Sequence, residues 1–127
     1  MINDPLLHTL EQYWGYKDFR AGQRAIIEAA IKGQDVLALL PTGGGKSICF
    51  QVPGLLRDGI CLVITPLVAL MKDQVDALIL SGVKAAFLNS TQHPSEREAI
   101  LQQLRNNELK LLYVAPERLV GAEINLL

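Results

Sequence analysis

Aromatic residues are scarce in this 127-residue sequence, at 6% of the chain. A folded core must therefore be built from Leu, Ile, Val and Ala, and a hydrophobic share of 50% supplies enough of them. Excess charge is also missing. Twelve basic and 13 acidic residues leave a net charge of −1, so no broad field gathers nucleic acid or membrane. That composition counts mildly against a dedicated basic DNA-binding module, and any DNA contact must come from local geometry. The two cysteines, Cys49 and Cys61, lack metal-ligand spacing and read as buried thiols in a reducing compartment. His8 and His93 stand far from any Cys/Asp/Glu cluster and read as ordinary surface or loop residues. No apolar run is long enough to span a bilayer, so no membrane partner is expected. Residues 89–91 spell the sequon Asn-Ser-Thr, yet no signal peptide precedes it, and a cytoplasmic location is the expectation. At this length the chain holds one domain at most.

What is present is an alternation of two periods. Short apolar runs at 35–40, 60–65, 83–88 and 109–115 are candidate buried strands. Helical spacing appears between them. Leu67, Leu70, Met71, Val75, Leu78 and Ile79 define one helix over 67–80. Ile100, Leu101 and Leu104 define another over 95–105, with Ser95 and Glu98 as a capping box. A helix over 21–33 is closed by Gly33, and a first helix covers about 5–13. Residues 46–52 continue helically until Pro53 bends or ends them. This rhythm predicts an α/β fold, a parallel β-sheet with helices on both faces. Ligands of such sheets bind beyond the carboxyl ends of the strands. Three loops would leave there: 41–47 after the first strand, 65–67 after the second, and 115–118 after the fourth.

The first of these loops carries the clearest chemistry. In "LLPTGGGKS", Gly43, Gly44 and Gly45 lack Cβ atoms, so several backbone N–H groups can turn toward one anion. Lys46 supplies a point charge for β- and γ-phosphates, and the Ser47 hydroxyl is a natural Mg²⁺ ligand. A helix opening at this point adds its positive end. The common phosphate-loop pattern G-x-x-x-x-G-K-[ST] asks for glycine where this chain has Leu40. A dinucleotide-binding reading fails, because G-x-G-x-x-G would need glycine at Ile48.

Four segments, taken in order, resemble the amino-terminal part of the RecQ family of superfamily 2 DNA helicases. They are "WGYKDFRAGQ", "LPTGGGKSICFQVP", "VITPLVALMKDQV" and "LLYVAPERL", and the resemblance runs from about Leu10 to Leu119. It implies a RecA-like P-loop NTPase fold, present as an incomplete first motor domain over residues 1–127. It implies ATP and Mg²⁺ as cofactors, with Thr42, Gly43, Gly44, Gly45, Lys46 and Ser47 around the phosphates and Lys46 stabilising their charge. Tyr16, Arg20 and Gln23 would hold adenine: an amide can bond a base edge twice, and a ring and a guanidinium can stack on the base. Thr65, Pro66, Leu67 and Arg118 would follow the backbone of single-stranded DNA. Lys72 and Asp73 are read instead as a solvated helix face. Asn89 and Ser90 match a family loop without an assigned role. Trp14, Ala21 and Phe50 stand where the family usually has phenylalanine, proline and tyrosine. None of the three touches the phosphate chemistry.

The family's next element is not in this sequence. Phosphoryl transfer to water needs an acidic pair to hold Mg²⁺ and orient the nucleophile. The family places it in a D-E-x-H box, and none occurs among these 127 residues. The second motor domain and the zinc-binding and winged-helix regions are absent as well. The resemblance thus implies a 3′ to 5′ ATP-dependent DNA helicase, represented by its nucleotide-grasping half. Its partner in the full-length parent would be single-stranded or duplex DNA, at the nucleoid in a bacterium. The alternative is a non-catalytic module that binds nucleotide or DNA, or docks on a partner.

Overall fold

A computed structural model describes residues 4–40 and 45–119. The chain divides into two compact units, Met1–Asp58 and Gly59–Leu127.

The first unit is helical: α1 spans Pro5–Trp14, α2 Gln23–Ile31 and α3 Lys46–Leu56. Helix α1 starts where the sequence has its signals. Asp4 accepts from the N–H groups of Leu6 and Leu7 at 3.1 and 3.3 Å, and Pro5 sits at the first helical position, where its missing donor costs nothing. Gly15 ends the helix with φ 77°, a conformation only glycine adopts cheaply. Leu10, Ile27, Ile48 and Val52, drawn from all three helices, form a buried core flanked by Trp14 and Phe19. Helix α2 closes at Lys32 and Gly33, as expected.

One expectation is narrowed in this unit and another fails. Pro53 does not end α3, which runs on to Leu56. Pro53 and its neighbours Gln51, Val52 and Gly54 are buried, and the next turn closes through the Arg57 N–H on the Pro53 carbonyl at 2.9 Å. Packing of the helix face outweighs one lost backbone bond. The apolar run 35–40 is not a strand either. Leu37 and Leu39 are 88% and 86% exposed, and no described strand pairs with the segment. A strand exists only by virtue of neighbours that take its N–H and C=O groups, and the described elements of the first unit are helices.

The second unit is the sheet. Strands β1 (Cys61–Ile64), β2 (Ala85–Leu88) and β3 (Leu111–Val114) lie parallel in the order β1-β3-β2. Central β3 is buried at every position, as its unbroken apolar spelling requires. Helix α4 (Val68–Leu80) and helix α5 (Pro94–Arg105) cover opposite faces. Leu112 and Val114 of β3, with Ala86 and Leu88 of β2, pack on Leu101, Ile100 and Leu104 of α5. Tyr113 points the other way, and its hydroxyl donates to Gln74 Oε1 of α4 at 2.6 Å. Register puts Leu62 and Ile64 of β1 level with Leu112 and Val114, yet they are 37% and 52% exposed, because the α5 cluster takes its strand residues from β2 and β3.

The apolar stripe of α4 is narrower than its spelling suggests. Met71, Val75 and Leu78 are buried, while Leu67, Leu70 and Ile79 are exposed. The capping box assigned to Ser95 and Glu98 is also corrected. The cap is His93, whose Nδ1 accepts from the Ser95 N–H at 3.1 Å. Pro94 takes the first helical position, which moves the cap to the residue before it. Glu98 instead pairs with Arg105 at 3.0 Å.

Candidate functional site

The phosphate residues that the structure describes begin at Gly45. This glycine is the N-cap of α3 in a left-handed conformation, φ 75° and ψ 42°, and has no side chain of its own to cap the helix. Lys46 is exposed and Ser47 half-buried at the first two helical positions. The opening N–H groups of α3 and its positive end thus meet a lysine and a hydroxyl, a combination that holds a phosphate. Thr42, Gly43 and Gly44 lie outside the described residues. Leu40, the departure from the common pattern, is half-buried. A methyl group placed on Gly22 would stand 3.6 Å from its Cδ2, so the leucine packs beside the turn that opens α2.

Of the three residues assigned to adenine, the structure joins two to the loop. Gln23 is 2% exposed. Its Oε1 accepts from the Arg20 N–H at 2.7 Å and its Nε2 donates to the Gly45 carbonyl at 3.0 Å. The aliphatic part of Arg20 reaches the same place, 3.8 Å from where a Gly45 Cβ would stand. Tyr16 is 51% exposed on the coil before α2, available for stacking on a planar ligand. Two supports went unread in the sequence. Arg24 lies over the Phe19 ring at 5.7 Å and binds Asp4 at 2.7 Å, fixing that coil to α1. Cys49 places its thiol 4.0 Å from the Gly45 carbonyl, and burial pushes the thiol's pKa up, keeping the proton on sulfur. The i, i+4 spacing of 45 and 49 could have shown the second contact. Nothing in the sequence marks the first.

The residues assigned to DNA belong to the second unit. Since Ile64, Val114 and Leu88 are level in the sheet, the loops that follow them leave at the same edge, the carboxyl ends of parallel strands. Thr65 is half-buried, and Pro66 and Leu67 are exposed. The loop spends two of its own donors: Leu67 N–H on Thr65 Oγ1 at 3.2 Å, and Val68 N–H on the Pro66 carbonyl at 3.0 Å. A phosphate here would therefore meet the Thr65 hydroxyl rather than those amides. Arg118 is half-buried in the short turn Pro116–Leu119 after β3. In the third loop Asn89 is buried. Its Oδ1 accepts the Thr91 N–H at 2.9 Å, and Gln92 Nε2 bonds the Phe87 carbonyl at 2.8 Å. Asn89 thus shapes that loop from within. Lys72 is exposed and pairs with Asp76 at 2.6 Å, the solvated face expected of it. No group of three or more His, Cys, Asp or Glu gathers into a metal site among the described residues.

A family-wide sequence profile described as DEAD/DEAH box helicase matches residues 20–125. Among individual proteins, the ATP-dependent DNA helicase RecQ of Haemophilus influenzae is 48% identical over 114 residues, covering 90% of this chain and 18% of that protein. RecQ of Bacillus subtilis is 47% identical over 115 residues, 90% of this chain and 20% of that protein. The ATP-dependent DNA helicase Q-like 5 of Arabidopsis thaliana is 40% identical over 121 residues, 95% of this chain and 13% of that protein. The chain therefore spans about a fifth or less of the length of these curated relatives.

Proposed function

Because this chain belongs to the DEAD/DEAH box helicase family and corresponds to the N-terminal region of a RecQ-type helicase, we propose that it is the nucleotide-grasping part of an ATP-dependent DNA helicase working 3′ to 5′. The observation that carries the reading is the start of α3, where left-handed Gly45, which has no side chain to cap the helix, leads into Lys46 and Ser47. Lys46 would bind the β- and γ-phosphates of ATP. Ser47 would hold Mg²⁺, which when bound neutralises phosphate charge. Tyr16 and Arg20 would flank the adenine ring. Thr65, Pro66, Leu67 and Arg118 would lie along a DNA strand crossing the carboxyl ends of β1 and β3.

Calorimetric titration of Mg-ATP into the chain and into Lys46→Ala tests this. Loss of a charged hydrogen bond to phosphate predicts an affinity at least about tenfold weaker in the variant. Equal binding by both chains, or none by the unaltered chain, would refute the assignment. For DNA, Arg118→Ala should weaken binding of a labelled single-stranded oligonucleotide and flatten its salt dependence.

A further inference from the structure

We propose that Gln23 is a positioning residue for the phosphate loop, acting through the Gly45 carbonyl. The inference rests on the phosphate-binding reading above and changes what Gln23 is for. At 2% exposure its amide offers almost no edge to a ligand in solution. Among the described residues it bonds the Arg20 N–H and the Gly45 carbonyl.

The second bond has a geometric consequence. A trans peptide is planar, with its C=O and N–H pointing in opposite directions. Fixing the Gly45 oxygen therefore aims the N–H of Lys46 the other way. Gln23 Nε2 reaches that oxygen at 3.0 Å and the Cys49 thiol stands 4.0 Å from it, which together hold the peptide plane at the mouth of α3. Lys46 N–H is one of the opening donors that a phosphate would use. The approach is close enough that a Cβ on Gly45 would run into Gln23 Nε2. Residue 45 is thus confined to glycine twice, by its φ of 75° and by the amide beside it. Sequence distance hides this pairing, because 22 residues separate the partners.

A residue that only reads adenine affects ligands that carry a base. A residue that aims the loop affects phosphates with no base at all. Mg-tripolyphosphate and Mg-ATP, titrated into the chain and into Gln23→Met, separate the two. Methionine keeps the length, adds no charge and removes the donor. The expected result is a loss of about five- to tenfold for tripolyphosphate as well as for ATP, the size of one hydrogen bond. The Lys46 amide resonance should also move in the ligand-free variant, while those of Leu10 and Ile27 stay in place. Unchanged tripolyphosphate affinity with weakened ATP binding would make Gln23 a base reader and overturn the proposal. Should Gln23→Met fail to fold by circular dichroism, the unaltered chain decides. Its Gln23 side-chain amide signals must shift when tripolyphosphate is added, and their staying fixed overturns the proposal. If the unaltered chain binds neither ligand, the phosphate reading itself falls and takes this one with it.

Discussion

Single residues at two helix starts of the first unit set its local order. Asp4 caps α1 and binds Arg24 of α2. Burial alone would raise its pKa, but the Leu7 N–H, the Leu6 N–H and the Arg24 guanidinium together hold it below the ordinary value of 3.8. A carboxylate with a depressed folded pKa stabilises the fold fully above its unfolded pKa. That contribution is lost as pH falls through the folded value. Acid titration followed by helical circular dichroism should therefore show helix signal falling below pH 3.8, and less of that fall in Asp4→Asn, whose cap no longer titrates. Identical acid profiles would show that the cap does not support the unit. At the start of α3, Gly45→Ala forces a side chain into a left-handed turn and against Gln23. Phosphate binding should be lost, with α1 and α2 intact by their amide spectra. An alanine chain that binds Mg-ATP normally would contradict the geometry.

Elements show how far spelling decides structure. In β3, every residue from Leu111 to Val114 is buried, and Leu112 meets the α5 face. Leu112→Ala should cost about 3 kcal/mol by denaturant titration, whereas Leu80→Ala, at an 89% exposed position, should cost almost nothing. Similar midpoints would place the core elsewhere. Helices α2 and α5 were legible from Gly33 after the one and the apolar stripe of the other, whereas the Asp4 cap and Pro5 of α1 went unread. Three of four strands were legible because their apolar runs find partners. Residues 35–40 carry an equally good spelling and form no strand, since a ladder needs neighbours that sequence periodicity does not reveal. Amide exchange should separate them, fast at Leu37 and Leu39 and slow at Leu112 and Val114; equal protection would show a paired strand at 35–40. The candidate site divides in the same way. Lys46 and Ser47 were readable from a local motif. The Gln23–Gly45 bond was not, because it joins residues through space, and the inward use of the Leu67 and Val68 amides depended on turn geometry.

Across the whole molecule, binding and turnover make different demands. Grasping a nucleotide asks for donors and a cation at one helix start, and α3 supplies both. Hydrolysis asks in addition for acidic groups that hold Mg²⁺ and orient a water against the γ-phosphate. Among the 127 residues no D-E-x-H sequence occurs, and the described residues contain no group of three or more His, Cys, Asp or Glu at one place. Asp35 precedes the phosphate loop by a segment that forms no strand, and Glu117 is exposed in the turn after β3. Neither is supported as the missing base. The chain alone should therefore show no protein-dependent phosphate release above the rate of Mg-ATP in buffer, even at concentrations that saturate binding. Lys46→Ala should then lower affinity without changing that background. Steady release abolished by Lys46→Ala would mean that the chain assembles a catalytic base by another route. Since the relatives named above are about five or more times longer, the same assay on a chain extended into a D-E-x-H box supplies the positive control. Release that appears only there would assign turnover to the added acidic pair and leave the α3 site its binding role.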